Sequence, residues 1–178
     1  MRGLVRVGAA VPSLALGNVK ENMKRHLAMM REAKEKHVSI VTFPELSLTG
    51  YTCGDLFFQR RLLDDVTDAL LALRDEMPEG ILAVVGAPLE IEGALYNCAV
   101  VLHKGEIISA VPKTFLPNNG EFYEKRWFQS GDARRDASVA IPKLKTDVCR
   151  QAIFETEDGV RFCLLYTSPS PRDGATSR

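Results

Sequence analysis

Apolar residues recur along this chain with two different periods. From Leu4 to Val11 the run LVRVGAAV is short, rich in strand formers and closed by Pro12, which predicts a buried first strand. Met23, Leu27, Met30 and Ala33 then fall three and four residues apart. That spacing predicts an amphipathic helix, capped by Asn18 and running to about Lys36. Met29 and Met30 read as core fillers of this helix rather than as a thioether metal site. Val38 to Phe43 predicts a second strand, stopped by Pro44. Leu62, Leu63, Val66, Leu70 and Leu73 share one face of a second helix, from about Gln59 to Met77, which Pro78 and Gly80 end.

The pattern then changes to consecutive strands. Ile81 to Pro88 is followed by a turn at Glu90 to Gly93, a strand from Ala94 to His103, a tight turn at Lys104-Gly105 and a return from Glu106 to Val111. Such a meander, after two strand–helix units, predicts an α/β fold whose sheet is mixed rather than purely parallel. Two loops interrupt it. Glu45 to Gly54 carries Thr49, Gly50, Thr52 and Gly54, and Phe115 to Asp136 is long, polar and aromatic, with room for one helical turn. Gln151 to Phe154 and Val160 to Leu165, around Glu157-Asp158-Gly159, predict one more hairpin. Beyond Leu165 the apolar period disappears, and residues 166–178 have the composition of a disordered tail.

Two of these strands end alike. Val38–Phe43 runs into Pro44-Glu45, and Glu106–Val111 runs into Pro112-Lys113. Proline lacks an N–H, so it ends ladder pairing and turns the chain out of the sheet. In open α/β sheets ligands sit at the carboxyl ends of strands. A carboxylate there can take a proton from a nucleophile, and an ammonium beside it can stabilise an oxyanion. The pair could equally be a plain ion pair at a strand edge; what it lacks as chemistry is a nucleophile.

Composition narrows the classes. The chain has 178 residues, with 23 basic and 23 acidic side chains in balance, which gives no reason to expect a nucleic-acid or polyanion partner. No apolar stretch approaches the ~18–20 residues of a membrane span, and Arg6, Pro12 and Ser13 break the N-terminal apolar run, so neither a membrane segment nor a secretory signal is expected. Cys53, Cys98, Cys149 and Cys163 are scattered and form no zinc-like spacing. A reduced, cytoplasmic protein without a metal site is the expectation.

The segments TFPELSLTGYTCGDLF, VGAPLEIEGALYNCAVVLHKGEI and VPKTFLPNNGEFYEKRWF resemble the amidase domain of the nitrilase superfamily of carbon–nitrogen hydrolases. GYTCGDLF and NGEFYEKRWF are similar, more narrowly, to the glutaminase branch found at the N-terminus of glutamine-dependent NAD+ synthetases. The resemblance covers about residues 3 to 162. It implies the N-terminal portion of a four-layer α-β-β-α sandwich and a Glu–Lys–Cys triad. Glu45 matches the general base and Lys113 the oxyanion-stabilising lysine. Glu121 matches a second acid that supports lysine and substrate. Position 119, a tyrosine touching glutamine in many relatives, is Asn119 here. The implied substrate is glutamine, whose ammonia would serve NAD+ synthesis; ATP and Mg2+ are implied only for a synthetase domain beyond this chain. A homo-oligomer is implied for the full-length parent. A standalone amidase and a non-catalytic fragment are the alternatives.

The resemblance also implies where the nucleophile should stand. In the family a cysteine follows the segment matched by GVRF, inside a run like G-V-E-I-C-E-D-L-W, and counting along it falls near Thr167. Cys163 is four residues short, about 13 Å along a strand; Cys53 reads as an inert thiol, Cys98 as core, and Cys149 carries no signal. LLYTSPSPRD resembles translated adapter or vector sequence. The expectation is therefore a partial hydrolase domain over 1–165, an extraneous tail over 166–178, and no turnover by the chain as written.

Overall fold

The computed structural model describes residues 4–133, 137–141, 143–149, 152–155 and 159–164. Helix α1 spans Val19–Glu35 and begins where the sequence places it, with the Asn18 side chain accepting from the Glu21 N–H at 3.2 Å. It buries Val19, Leu27, Met30 and Ala33, and with them two polar residues, Asn22 and His26. Helix α2 spans Arg60–Glu76 and buries Leu62, Val66, Ala69, Leu70 and Leu73. The two helices pack side by side on one face of a sheet.

Among the described residues that sheet has seven strands: β1 (Val7–Ala9), β2 (Ile40–Thr42), β3 (Leu82–Ile91), β4 (Ala94–His103), β5 (Glu106–Pro112), β6 (Ala137–Ile141) and β7 (Leu144–Val148). Their order is β1-β2-β3-β4-β5-β7-β6. β1, β2 and β3 are parallel, β3, β4 and β5 form the antiparallel meander, and β5 pairs parallel with β7, which pairs antiparallel with β6. The two meander turns are two-residue connections, Glu92-Gly93 and Lys104-Gly105, with positive φ at both positions of each. That geometry matches the right-handed twist of the flanking strands.

Alternation along the central strands sets the layers. Ala83, Val85, Ala87 and Leu89 of β3 and Cys98, Val100 and Leu102 of β4 join the helices in the main core. Val84, Ala99, Val101 and Val111 point the other way, where Ala152, Phe154 and Leu164 cover them. Those covering residues belong to a separate antiparallel ribbon, β8 (Ala152–Glu155) with β9 (Arg161–Leu164). The result, among the described residues, is a mixed α/β fold of three layers: helices, sheet, ribbon.

Two elements differ from expectation. The first strand is not buried: β1 is three residues long, pairs among the described residues only with β2, and its run leaves Leu4, Val7 and Val11 exposed. Its apolar run reads as buried, but an edge position covers only one side of it. The β6–β7 hairpin was not expected at all, because LKTDV alternates apolar and polar residues too briefly to stand out. The tail 166–178 and position 167 lie outside the described residues.

Candidate active site

Phe43 makes the last sheet bond of its strand, from its N–H to the Val84 carbonyl at 2.9 Å, and Pro44 then ends the ladder. The chain folds over β3 at Gly86. A Cβ there would sit 2.4 Å from both the Pro44 oxygen and the Leu46 nitrogen, so only glycine admits this elbow. Leu46 itself holds a left-handed backbone, φ 50°, and is fully buried. A branched apolar side chain rarely adopts that conformation, and strain of this kind gathers at functional sites.

A polar network beneath the elbow fixes it. The Asn22 side chain donates to the carbonyls of Ala15 and Leu48 and accepts from the Ala15 N–H. His26 Nδ1 lies 2.7 Å from the Asn22 carbonyl, which can only accept, so Nδ1 carries the proton. Nε2 is then free to accept from the Ser47 hydroxyl at 2.8 Å. Burial lowers the His26 pKa to about 4, so the ring is neutral near pH 7, and it stacks at a tilt on Phe43. Ser47 and Thr49 are buried as well.

Lys113 enters from the end of β5. Its N–H donates to the Asn97 carbonyl at 2.8 Å, and its own carbonyl accepts from the Gly131 N–H at 2.9 Å. Its ammonium is 2% exposed and donates to Glu45 Oε1 at 2.6 Å and to Glu124 Oε1 at 2.8 Å. The Glu45 side chain keeps 31% exposure, which leaves it accessible from solvent, whereas Glu124 is 1% exposed. Asn97 Nδ2 donates to the same Glu45 oxygen. Tyr51 donates its hydroxyl to Glu124 Oε1 at 2.7 Å; burial, reinforced by that carboxylate, pushes the Tyr51 hydroxyl well above the usual phenol range and keeps it protonated. Five side chains from four separate parts of the chain thus form one line: Tyr51, Glu124, Lys113, Glu45, Asn97.

Glu124 stands on α3 (Glu124–Trp127), a single helical turn inside the long loop. Trp127 and Phe128 of the same turn pack on Phe57 with ring centroids 5.9 and 5.0 Å apart. Asp55 accepts a two-pronged bond from Arg126, at 2.8 and 2.7 Å, and a third from the Trp127 indole at 2.9 Å. These bonds hold the Asp55 carboxyl far below the usual carboxylate range.

Glu45 and Lys113, read from the sequence as a pair, are in direct contact. Glu121 is not part of the cluster. It is exposed three residues before Glu124, and the second carboxylate on Lys113 is Glu124. Asn119 is exposed too, and its backbone carbonyl accepts from the Phe122 N–H. The sequence does contain the missed signal: Glu124, Trp127 and Phe128 stand at i, i+3 and i+4, which turns the carboxylate to the same side as two core aromatics. Asn97 and Tyr51 carried no such signal.

Among the described residues no thiol is bonded to Glu45 or Lys113. Cys53 is buried, its thiol donates to the Thr49 carbonyl at 3.2 Å, and burial pushes its pKa up. Cys98 is in the main core. Cys163 is exposed on the outer side of the ribbon, paired in register with the exposed Ile153, while its neighbours Phe162 and Leu164 are half-buried. Among the described residues no three His, Cys, Asp or Glu side chains cluster to hold a metal, and no helix is long and apolar enough to cross a membrane.

Such a layered α/β fold with a Glu–Lys–Glu cluster at its strand ends defines a class. Residues 6–157 match the carbon-nitrogen hydrolase family model, and the chain belongs to the carbon-nitrogen hydrolase family. It is 41% identical over 134 residues to a glutamine-dependent NAD(+) synthetase of Mycobacterium tuberculosis, a match covering 75% of this chain and 20% of the relative. The solved glutamine-dependent NAD(+) synthetase of Cytophaga hutchinsonii superposes with a TM-score of 0.80 at 27% identity, over 88% of this chain and 27% of that one. An amidase from Nesterenkonia sp. AN1, solved with an acetamide group on its active-site cysteine, shares the fold with a TM-score of 0.68 at 17% identity, over 90% of this chain and 55% of that one. The chain spans about a fifth of the length of the curated relatives it matches.

Proposed function

We propose that this chain is the N-terminal part of a glutaminase unit that releases ammonia from glutamine for NAD+ synthesis. The observation that carries the reading is Lys113, buried between Glu45 and Glu124 while Glu45 stays open to solvent. Glu45 takes the proton of a cysteine thiol, and the thiolate attacks the side-chain amide carbon of glutamine. Lys113 stabilises the oxyanion that develops on the amide oxygen. The carbon–nitrogen bond then breaks, Glu45 returns the proton to the leaving nitrogen, and ammonia departs. Glu45 then takes a proton from water, whose oxygen attacks the thioester carbon; the carbon–sulfur bond breaks, the proton passes to the cysteine sulfur, and glutamate leaves. Glu124 holds Lys113 from the far side and takes the supporting role first expected of Glu121.

The position of that cysteine falls near Thr167 of this chain, outside the described residues, and the cysteine itself is expected only in the uninterrupted frame. ATP and Mg2+ belong, in this reading, to a synthetase part beyond this chain, and no residue here is assigned to them. A cytoplasmic, homo-oligomeric parent goes with the same reading. The similarity to glutamine-dependent NAD(+) synthetases supports glutamine over a simple amide. The fold shared with the Nesterenkonia amidase supports a second reading, a standalone amidase, which acceptance of short aliphatic amides in place of glutamine would favour.

The test has two steps. Source DNA is read across the codons for Gly159 to Arg178, and ammonia release from glutamine is then measured for this chain and for the protein of the uninterrupted frame. A frame that runs into a Glu-Ile-Cys-Glu-Asp-like segment, with glutamine turnover in the longer protein and none in the 178-residue chain, is the expected result. Robust Glu45-dependent turnover by the 178-residue chain would contradict the position assigned to the nucleophile.

A further inference from the structure

Asn97 is fully buried near the middle of β4, where its neighbours from Ala94 to Leu102 are apolar or aromatic. Burying a primary amide in such a place costs free energy unless its polar atoms are bonded. Here the bonds go to the two charged groups at the heart of the site. Its side-chain amide donates to Glu45 Oε1, and its backbone carbonyl accepts the Lys113 N–H at 2.8 Å. One residue therefore sets both the side-chain position of the carboxylate and the backbone position of the lysine.

The consequence lies in which oxygen is bonded. Lys113 Nζ and Asn97 Nδ2 both donate to Oε1 of Glu45. Two charge-assisted donors fix that oxygen in place and draw its negative charge. Neither donor reaches Oε2, and the side chain retains 31% exposure. We infer that Asn97 is a positioning residue that commits Oε1 of Glu45 to structure, so that Oε2 is the oxygen that takes and returns the proton.

The residue type fits the task. A neutral amide donates without altering the charge balance of two carboxylates and one ammonium. Aspartate, of the same shape, would bring a third carboxylate against Glu45, and leucine would leave Oε1 with one donor. That Oε2 is a catalytic base rests on the amidase reading; the bonding pattern does not depend on it.

The test needs no substrate and uses the 178-residue chain. Isotope-edited infrared spectra of glutamate-labelled protein isolate the Glu45 carboxylate band as the difference between wild type and Glu45→Gln. In wild type, the side-chain amide signals of Asn97 in a nitrogen-15 NMR spectrum are expected to shift together with that band as pH falls, and to lose their carboxylate-bonded shift in Glu45→Gln. In Asn97→Leu the carboxylate band is expected to be half lost at a higher pH than in wild type, because a donor to the charged form is gone. Asn97→Asp is expected to move it further in the same direction. Asn97 signals indifferent to the protonation of Glu45 would overturn the inference, and this arm needs Glu45→Gln to fold but neither Asn97 variant. A folded Asn97→Leu with an unmoved band would overturn it too, and would leave Asn97 as a packing residue of β4. If these spectra behave as expected but the longer protein turns over no glutamine, the positioning role stands and the glutaminase reading falls.

Discussion

Two segments each bring a carboxylate to Lys113, and they are held in opposite ways. The Glu45 segment is anchored from below: Gly86 admits it onto the sheet, and Asn22, His26 and Ser47 bond its underside in a buried network. The Glu124 segment is a long polar loop whose one helical turn is held by aromatic packing on Phe57 and by an exposed clip between Asp55, Arg126 and Trp127. Buried bonds cannot be exchanged for bonds to water, whereas exposed ones are, at little net cost. The difference teaches that the base is bonded into the core from beneath, whereas the segment of its supporting acid is tied down partly by exposed bonds, beside the buried ones Glu124 makes to Lys113 and Tyr51.

Four changes sharpen that contrast. Lys113→Met removes the cation both carboxylates share and leaves Glu124 buried and uncompensated. The expected loss is about 3–5 kcal/mol in denaturant unfolding. Gly86→Ala drives a methyl into the backbone of the Glu45 elbow at 2.4 Å, with an expected loss of about 2–3 kcal/mol and a perturbed Glu45 environment in NMR spectra. Acid should also attack the Glu45 side. His26 is held neutral with a folded pKa of about 4, below its ordinary 6.5, so the unfolded chain binds more protons between those values. Stability is therefore full above about pH 6.5 and is lost as pH falls toward 4, by on the order of 3 kcal/mol at most. In urea unfolding at a series of pH values, His26→Gln should abolish this slope. Asp55→Asn is the mildest change, since the clip is exposed. It should leave the global midpoint nearly unmoved while amide exchange in α3 quickens and exchange around residues 44–50 does not.

The same contrast explains what was legible in the sequence. Strand–Pro–charge grammar exposes Glu45 and Lys113 because a local rule, the end of ladder pairing, places them at the sheet edge. The Asn18 cap and both meander turns were readable for the same reason, since capping and two-residue turns act over a few residues. Glu124 depends on contacts from Tyr51, Phe57 and Lys113, far away in sequence, so the family resemblance, which matches positions and not packing, settles on Glu121. His26 hides on the apolar face of α1, where the pattern of apolar residues passes over it. The burial of the first strand was misread because periodicity reports which residues avoid water and is silent on whether a strand lies at an edge.

The most direct test of the central claim is the kcat for glutamine hydrolysis in the longer protein, compared across Glu45→Gln, Lys113→Met, Glu124→Gln and Glu121→Gln. The first three are expected to fall by on the order of a hundredfold or more, because each removes a member of one hydrogen-bonded line, while Glu121→Gln stays near wild type. A large loss in Glu121→Gln alongside an active Glu124→Gln would contradict the assembly described for Lys113.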